Sequence, residues 1–266
     1  MMKNNVNKKS NNMKKLIPAA GMLAVSATML ATSTYAWFSM NTAVTATGMN
    51  VTAQAESGIV ISNSTKSAWN ATAATTTGSL NLLPTSTSNG STWYHNSSDD
   101  ADIATGDGHV GTYTTVTNEG SDKYYSENKF YIKSATTSSL TKDLYIKQVT
   151  ITPPGTVTSA DLDKSLRVLV KIGDSTNIYA PTSASTLTYT VNGATSVTAL
   201  DASSVNDTKV TGITSIPAST GTPIEATVYV YFEGEDANCK SNNVKATLDT
   251  MAVSVQFEAK DPVVTP

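Results

Sequence analysis

Apolar and polar side chains alternate with a period of two in several separate runs, the spacing of strands that bury one face. Residues 226–232 (ATVYVYF) set Val228, Val230 and Phe232 on one face and Tyr229 and Tyr231 on the other. Residues 251–259 repeat the pattern, with Met251, Val253, Val255, Phe257 and Ala259 against Ala252, Ser254, Gln256 and Glu258. In residues 166–172, Leu166, Val168, Val170 and Ile172 share a face, with Arg167 and Lys171 opposite. Residues 129–133 and 143–152 also alternate. In the second of these the apolar phase slips between Ile146 and Val149, which predicts a bulge near Lys147-Gln148. Pro153-Pro154-Gly155 ends that strand, and residues 159–164 read as one helical turn leading into the next. Residues 187–191 run into Asn192-Gly193, a dipeptide that favours a hairpin turn.

The N-terminal third is patterned differently. Residues 1–15 are polar and basic, and residues 16–31 are mostly Leu, Ile, Met, Val and Ala. That apolar stretch of about 16 residues falls short of the roughly 20 needed for a membrane-spanning helix. Thr34 and Ala36 flank Tyr35 in the small-x-small pattern of a signal-peptidase site. The prediction is a signal peptide over residues 1–36, cut between Ala36 and Trp37. A retained pilin-type helix fits less well, because no acidic residue stands early in the apolar run. Beyond the cut come Trp37 and Phe38. A run then follows with Ala43, Val44, Ala46, Met49, Val51, Ala53 and Ala55 at its small or apolar positions. It reads as one strand interrupted at Gly48, where glycine suggests a bulge or a close backbone approach. Residues 58–61 form a second strand or continue the first. Residues 62–120 are rich in Ser, Thr, Asn and Gly and read as a loop-rich insert with one or two short strands, for instance around residues 113–116.

Strands at irregular spacing with no long helical period after the leader predict an all-β fold. The expected form is an antiparallel, jelly-roll-like β-sandwich in a single domain over residues 37–266. Composition agrees: charged residues are 15% of the chain, against about 25% in an average soluble domain. Thr and β-branched residues take their place, and these suit a pleated surface. Five of the 18 basic residues (Lys3, Lys8, Lys9, Lys14, Lys15) lie in the leader, so the mature chain is more acidic than the overall charge of -3. No basic patch is visible, and nucleic acid is not an expected partner.

Candidate chemistry is sparse. Cys239 is the one cysteine, which excludes an intramolecular disulfide framework and reads as a small residue in a loop or half inside. Neither HExxH, Gly-x-Ser-x-Gly nor a P-loop is present. His95 and His109 read as surface histidines. Asp99, Asp100, Asp102 and Asp107 lack the spacing of a calcium loop and read as a solvated acidic loop. Glu233-Gly234-Glu235-Asp236, after a strong strand, reads as a polar turn. No catalytic residue, metal or cofactor is expected. Trp69, Trp93 and Tyr94 are the candidate ligand contacts: their rings either pack against sugars or plug loops over the core. Residues 261–266 carry no apolar tail and no sortase signal, so covalent wall anchoring is not expected.

The junction Thr34-Tyr35-Ala36-Trp37-Phe38, the Thr/Ala/Gly-rich run with its central Gly48 and the closing segment VSVQFEA resemble the TasA/camelysin family, whose leaders are SipW-type signal peptides. The likeness covers the leader, the first strand and the last strand. It implies a secreted, non-catalytic subunit of extracellular fibres or biofilm matrix, at the surface of a Gram-positive-type bacterium. The subunits would assemble when the N-terminal strand of one copy completes the sheet of the next. Trp37, Phe38, Val44, Ala46, Gly48, Met49, Val51 and Ala53 would then be the donated residues. Partners would be further copies of the chain, signal peptidase, and cell-wall or matrix polysaccharide. The protease activity described for camelysins has no ligand set here to support it. The different-class alternative is a secreted adhesion or carbohydrate-binding module.

Overall fold

The computed structural model describes residues 44–47, 49–77, 80–96, 113–119, 123–152, 162–181, 184, 187–192, 194–202, 204–236, 239, 248–249 and 251–263. It is an all-β sandwich of two main sheets. The first described residues are already strand, β1 (Val44–Thr47) and β2 (Met49–Glu56). There follow β3 (Ile59–Asn63), β4 (Thr72–Thr77), β5 (Leu80–Leu82), β6 (Trp93–Asn96), β7 (Tyr113–Val116), β8 (Ser126–Ser134) and β9 (Asp143–Thr152). A 3-10 turn at Leu162–Ser165 leads into β10 (Leu166–Ile172) and β11 (Ser175–Ala180). The rest are β12 (Thr188–Val191), β13 (Thr195–Thr198), β14 (Leu200–Asp201), β15 (Thr208–Lys209), β16 (Ile224–Phe232), β17 (Leu248–Asp249) and β18 (Ala252–Lys260).

One sheet has the order β14-β11-β10-β16-β8-β3 and the other β15-β9-β18-β2-β4. The expected antiparallel character holds for most pairs, but β2 runs parallel to β18, with Val51 opposite Val253 and Ala53 opposite Val255. Alternation selects the buried faces. Met49, Val51, Ala53 and Ala55 of β2 point into the sandwich with Val253, Val255 and Phe257 of β18. Phe130, Ile132, Val168, Val170, Val228 and Val230 meet them from the opposite sheet. The bulge falls where the phase slip predicts it: Gln148 faces Gln256, Ile146 faces Phe257, and Lys147 is the extra residue. Freed from the ladder's alternation, Lys147 reaches Glu56 Oε2 at 2.6 Å. The two-residue turn joining β10 to β11 begins at Gly173 with φ 57°, the position where a tight hairpin needs a left-handed residue.

Three expectations change. The run across Gly48 is not one strand: β1 pairs with β5 and β17, whereas β2 enters the five-stranded sheet. Gly48 itself lies outside the described residues. The loop-rich insert contains four short strands and supplies buried residues, among them Leu82, Thr85, Ser86, Thr87 and Trp93. Together with the β12–β13 hairpin it lays a third layer over the outer face of the six-stranded sheet. This layer closes a second apolar cluster of Trp93, Leu169, Ile178, Tyr189, Val191 and Tyr231. The face of Arg167, Tyr229 and Tyr231 is therefore outward from the sandwich, as alternation predicts, yet covered.

Candidate functional site

Of the predicted N-terminal residues, Ala36, Trp37 and Phe38 lie outside the described residues. Val44 and Ala46 are in β1, paired with Leu82 and Leu80 of β5. Met49, Val51 and Ala53 are buried in β2, which is bonded on both sides, to β18 and to β4. Only Ser57-Gly58 separates β2 from β3, and both residues have positive φ (58° and 83°), a tight reversal. Two residues span at most roughly 7 Å. That is too short a hinge to carry β2 into a neighbour while β3 stays at home. In this structure Met49, Val51 and Ala53 are thus built into the chain's own sheet, as Val44 and Ala46 are paired within β1.

The candidate ligand aromatics are not brought together. Trp93 is buried, stacked on Tyr125 with centroids 4.2 Å apart and met edge-on by Tyr229 and Tyr231. It is a plug of the third layer, with no face left for a sugar. Tyr94, next along β6, is half-buried, and Trp69 lies in the β3–β4 connection with Lys133 Nζ 3.7 Å over its ring. A surface cleft of about 380 Å³ between β11 and β13 is lined by Ser88, Thr176, Asn177, Thr195, Ser196 and Thr198, with no aromatic wall. Asp99, Asp100, Asp102, Asp107 and His109 lie outside the described residues.

Sequence reasoning missed a buried polar junction where β16 ends. Glu233, Glu235 and Asp236 do form a turn, but one that is enclosed instead of solvated. Backbone bonds stitch it down: Glu233 N–H donates to Ser165 O at 2.8 Å and Gly234 N–H to Thr85 O at 3.0 Å. Arg167 Nη2 donates to Asp236 Oδ2 at 2.6 Å, both side chains being fully buried. Its Nη1 bonds the carbonyls of Lys164 and Leu166, each at 2.9 Å. Burial opposes the Arg167 charge, but Asp236, Tyr189 and Glu233 outweigh it and hold the guanidinium charged. Glu233 Oε1 accepts from the Glu235 N–H at 3.0 Å, whereas Oε2 has no hydrogen-bond partner. Burial raises the Glu233 carboxyl to about 8, against smaller opposing pulls from Ser86 and Arg167. It raises Glu235 to about 7, eased by the Tyr113 hydroxyl beside it.

Two smaller corrections belong here. His95 is buried, not on the surface, with Nδ1 donating to the Pro84 carbonyl at 2.7 Å. Cys239 is fully inside, and burial pushes its thiol up, away from a reactive thiolate. Chemically, the junction is a lock between β10, β16 and the third layer. Glu233 is shut off from solvent, so no substrate reaches its proton. Among the described residues no three His, Cys, Asp or Glu side chains group to hold a metal ion, and no helix is long and apolar enough to cross a membrane. No protein-family model, curated protein or solved structure matches the chain.

Proposed function

We propose that the chain is a secreted, non-catalytic structural subunit of extracellular fibres or surface matrix, assembled by its N-terminal segment. The supporting observation is that the first described residues past the expected cut, Val44–Thr47, form a strand paired in a sheet. The leader, the resemblance of the Tyr35–Phe38 junction and of VSVQFEA, and the hydroxyl-rich composition point the same way. In this reading the fold is of the jelly-roll kind, signal peptidase frees Trp37, and the main partner is another copy. Strand addition draws affinity from main-chain hydrogen bonds and register from alternate side chains. Burying one ring such as Trp37 or Phe38 adds about 1.5–3 kcal/mol.

Negative-stain imaging of the secreted chain, with N-terminal sequencing of the same sample, tests the proposal. Filaments built from chains that begin at Trp37 are expected. Correctly processed chains that stay monomeric at every concentration and salt would refute it. The carbohydrate reading is not favoured, because Trp93 is committed to the core.

A further inference from the structure

We propose that the carboxyl turn after β16 is a pH-sensitive latch on the third layer. Protonated, it keeps residues 80–96 and 113–116 closed over the six-stranded sheet; deprotonated, it lets that layer lift while the sandwich stays folded. The balance of charge comes first. Glu233, Glu235 and Asp236 are 0%, 5% and 1% exposed. Among the described residues the cation that faces Glu233 is Arg167, and its Nη2 is bonded to Asp236 Oδ2. Its Nη1 is taken by the carbonyls of Lys164 and Leu166. Two carboxyls thus share an enclosed site in which the guanidinium is already matched by a third. A buried carboxylate so placed is costly unless it takes a proton.

The other titratable groups around Glu233 do not offset its charge. Burial holds Tyr113 of β7, Tyr189 of β12, Tyr231 of β16 and the Cys239 thiol above their ordinary values, so all four stay neutral. His95 of β6 is turned to the Pro84 carbonyl, a bond that Nδ1–H makes whether the ring is neutral or charged. In keeping with these surroundings, Glu233 is raised to about 8 and Glu235 to about 7.

The third layer itself shuts the two carboxyls in. A Cβ added at Gly234 would lie 3.7 Å from Pro84 Cβ and 3.8 Å from the Thr85 nitrogen, so the turn runs directly under that segment. Ser86 stands beside Glu233, and Tyr113 beside Glu235. Among the described residues the layer's main-chain attachment to this turn is one bridge. Thr85 N–H donates to Phe232 O and Gly234 N–H to Thr85 O, each at 3.0 Å. β16, by contrast, is laddered along its length to β10 and to β8. Lifting the layer therefore wets both carboxyls by parting that bridge and the apolar contacts around Trp93. Reaching them from the other side would break the centre of a sheet.

Closed, Glu233 keeps its proton up to about pH 8; open, it titrates near its ordinary 4.5. Between those limits each pH unit favours the open form about tenfold for every carboxyl that releases its proton on opening. Amide exchange of the secreted chain from about pH 5 to about pH 9, corrected for the intrinsic pH dependence of exchange, tests the latch. Protection at Thr85 and Gly234, whose N–H groups cross the bridge, should fall about tenfold or more per unit up to about pH 8 and level off above it. At about pH 8 these amides should exchange at least about tenfold faster than those of Thr227 to Tyr231 in β16. The double change Glu233→Gln with Glu235→Gln, which cannot ionise, should hold their protection flat. Circular dichroism establishes that the variant folds; should it not, Glu233→Gln alone carries the comparison, and its slope should end near pH 7, where Glu235 has lost its proton. Equal protection at the bridge and in β16 at every pH overturns the latch, because the layer then opens only with the sandwich. A flat wild-type profile also overturns it, as does a wild-type slope that persists unchanged in the variant.

Discussion

At the scale of single residues, the side chains that decide the most are polar groups deep inside and one tryptophan. Glu233 carries a raised folded-state value of about 8 against an ordinary 4.5. Between those limits the folded chain holds a proton that the unfolded chain has released. Stability from this group is therefore greatest below about pH 4.5, falls as pH rises toward about 8, and changes no further above it. Glu235 acts in the same direction up to about 7. Melting temperature should fall across this window, and Glu233→Gln, which cannot ionise, should flatten the fall and melt higher than the wild type at its alkaline end. Equal slopes in the two proteins would show that the carboxyl is solvated. Trp93 makes the second case. Its ring is enclosed by Tyr125, Tyr229 and Tyr231, so Trp93→Ala should cost about 3–5 kcal/mol in denaturant unfolding. A surface sugar platform would instead lose binding with stability intact.

At the scale of elements, β8, β9, β10, β16 and β18 were legible because each buries one face in a core of Val, Ile, Leu and Phe, and period two records that burial. Even the bulge at Lys147 was legible, since an extra residue shifts the apolar phase. β4, β11 and β13 were not. Their residues, TAATTT, STNIYA and TSVT, carry hydroxyls or amides on both faces, and main-chain pairing with β2, β10 and β12 makes them strands. The polar junction was hidden for a related reason. EGED looks solvated until Arg167, Ser165 and Thr85, distant in sequence, close over it. Asn128 was hidden likewise, an amide at an inward position of β8 that ties β8 to β4 through Thr75. Removing it takes away the 2.6 Å bond of the Thr75 hydroxyl and leaves it only the 3.4 Å contact with the Val51 carbonyl, so Asn128→Ala should cost about 1–3 kcal/mol. The loss should not be uniform. Amide exchange should accelerate in β4 well before β10, whose pairs with β11 and β16 do not involve Asn128. Acceleration in step across both strands would mean that β4 has no hold of its own on β8.

At the scale of the whole molecule, the N-terminal region divides by what the fold needs. Residues 49–56 fill the gap between β18 and β4, and without them the five-stranded sheet falls into a three-stranded piece and a lone strand. Met49, Val51, Ala53 and Ala55 would leave the core with them. Burial of Met or Val is worth about 1.5–3 kcal/mol each, and a native domain is stable by only about 5–15 kcal/mol. A mature chain lacking residues 37–55 should therefore fail to fold and should aggregate, not remain a soluble monomer. A chain lacking only residues 37–43 loses none of the described strands. It should melt within a few degrees of the wild type and yet start no filament, because it has nothing to donate. Mixed with wild-type chains it should still accept a neighbour's segment and so cap growing ends, shortening filaments in proportion to its share of the mixture. Circular dichroism melts and length distributions from electron microscopy read both effects. Filaments of normal length grown from the shorter deletion alone would place the assembly contact somewhere other than residues 37–43.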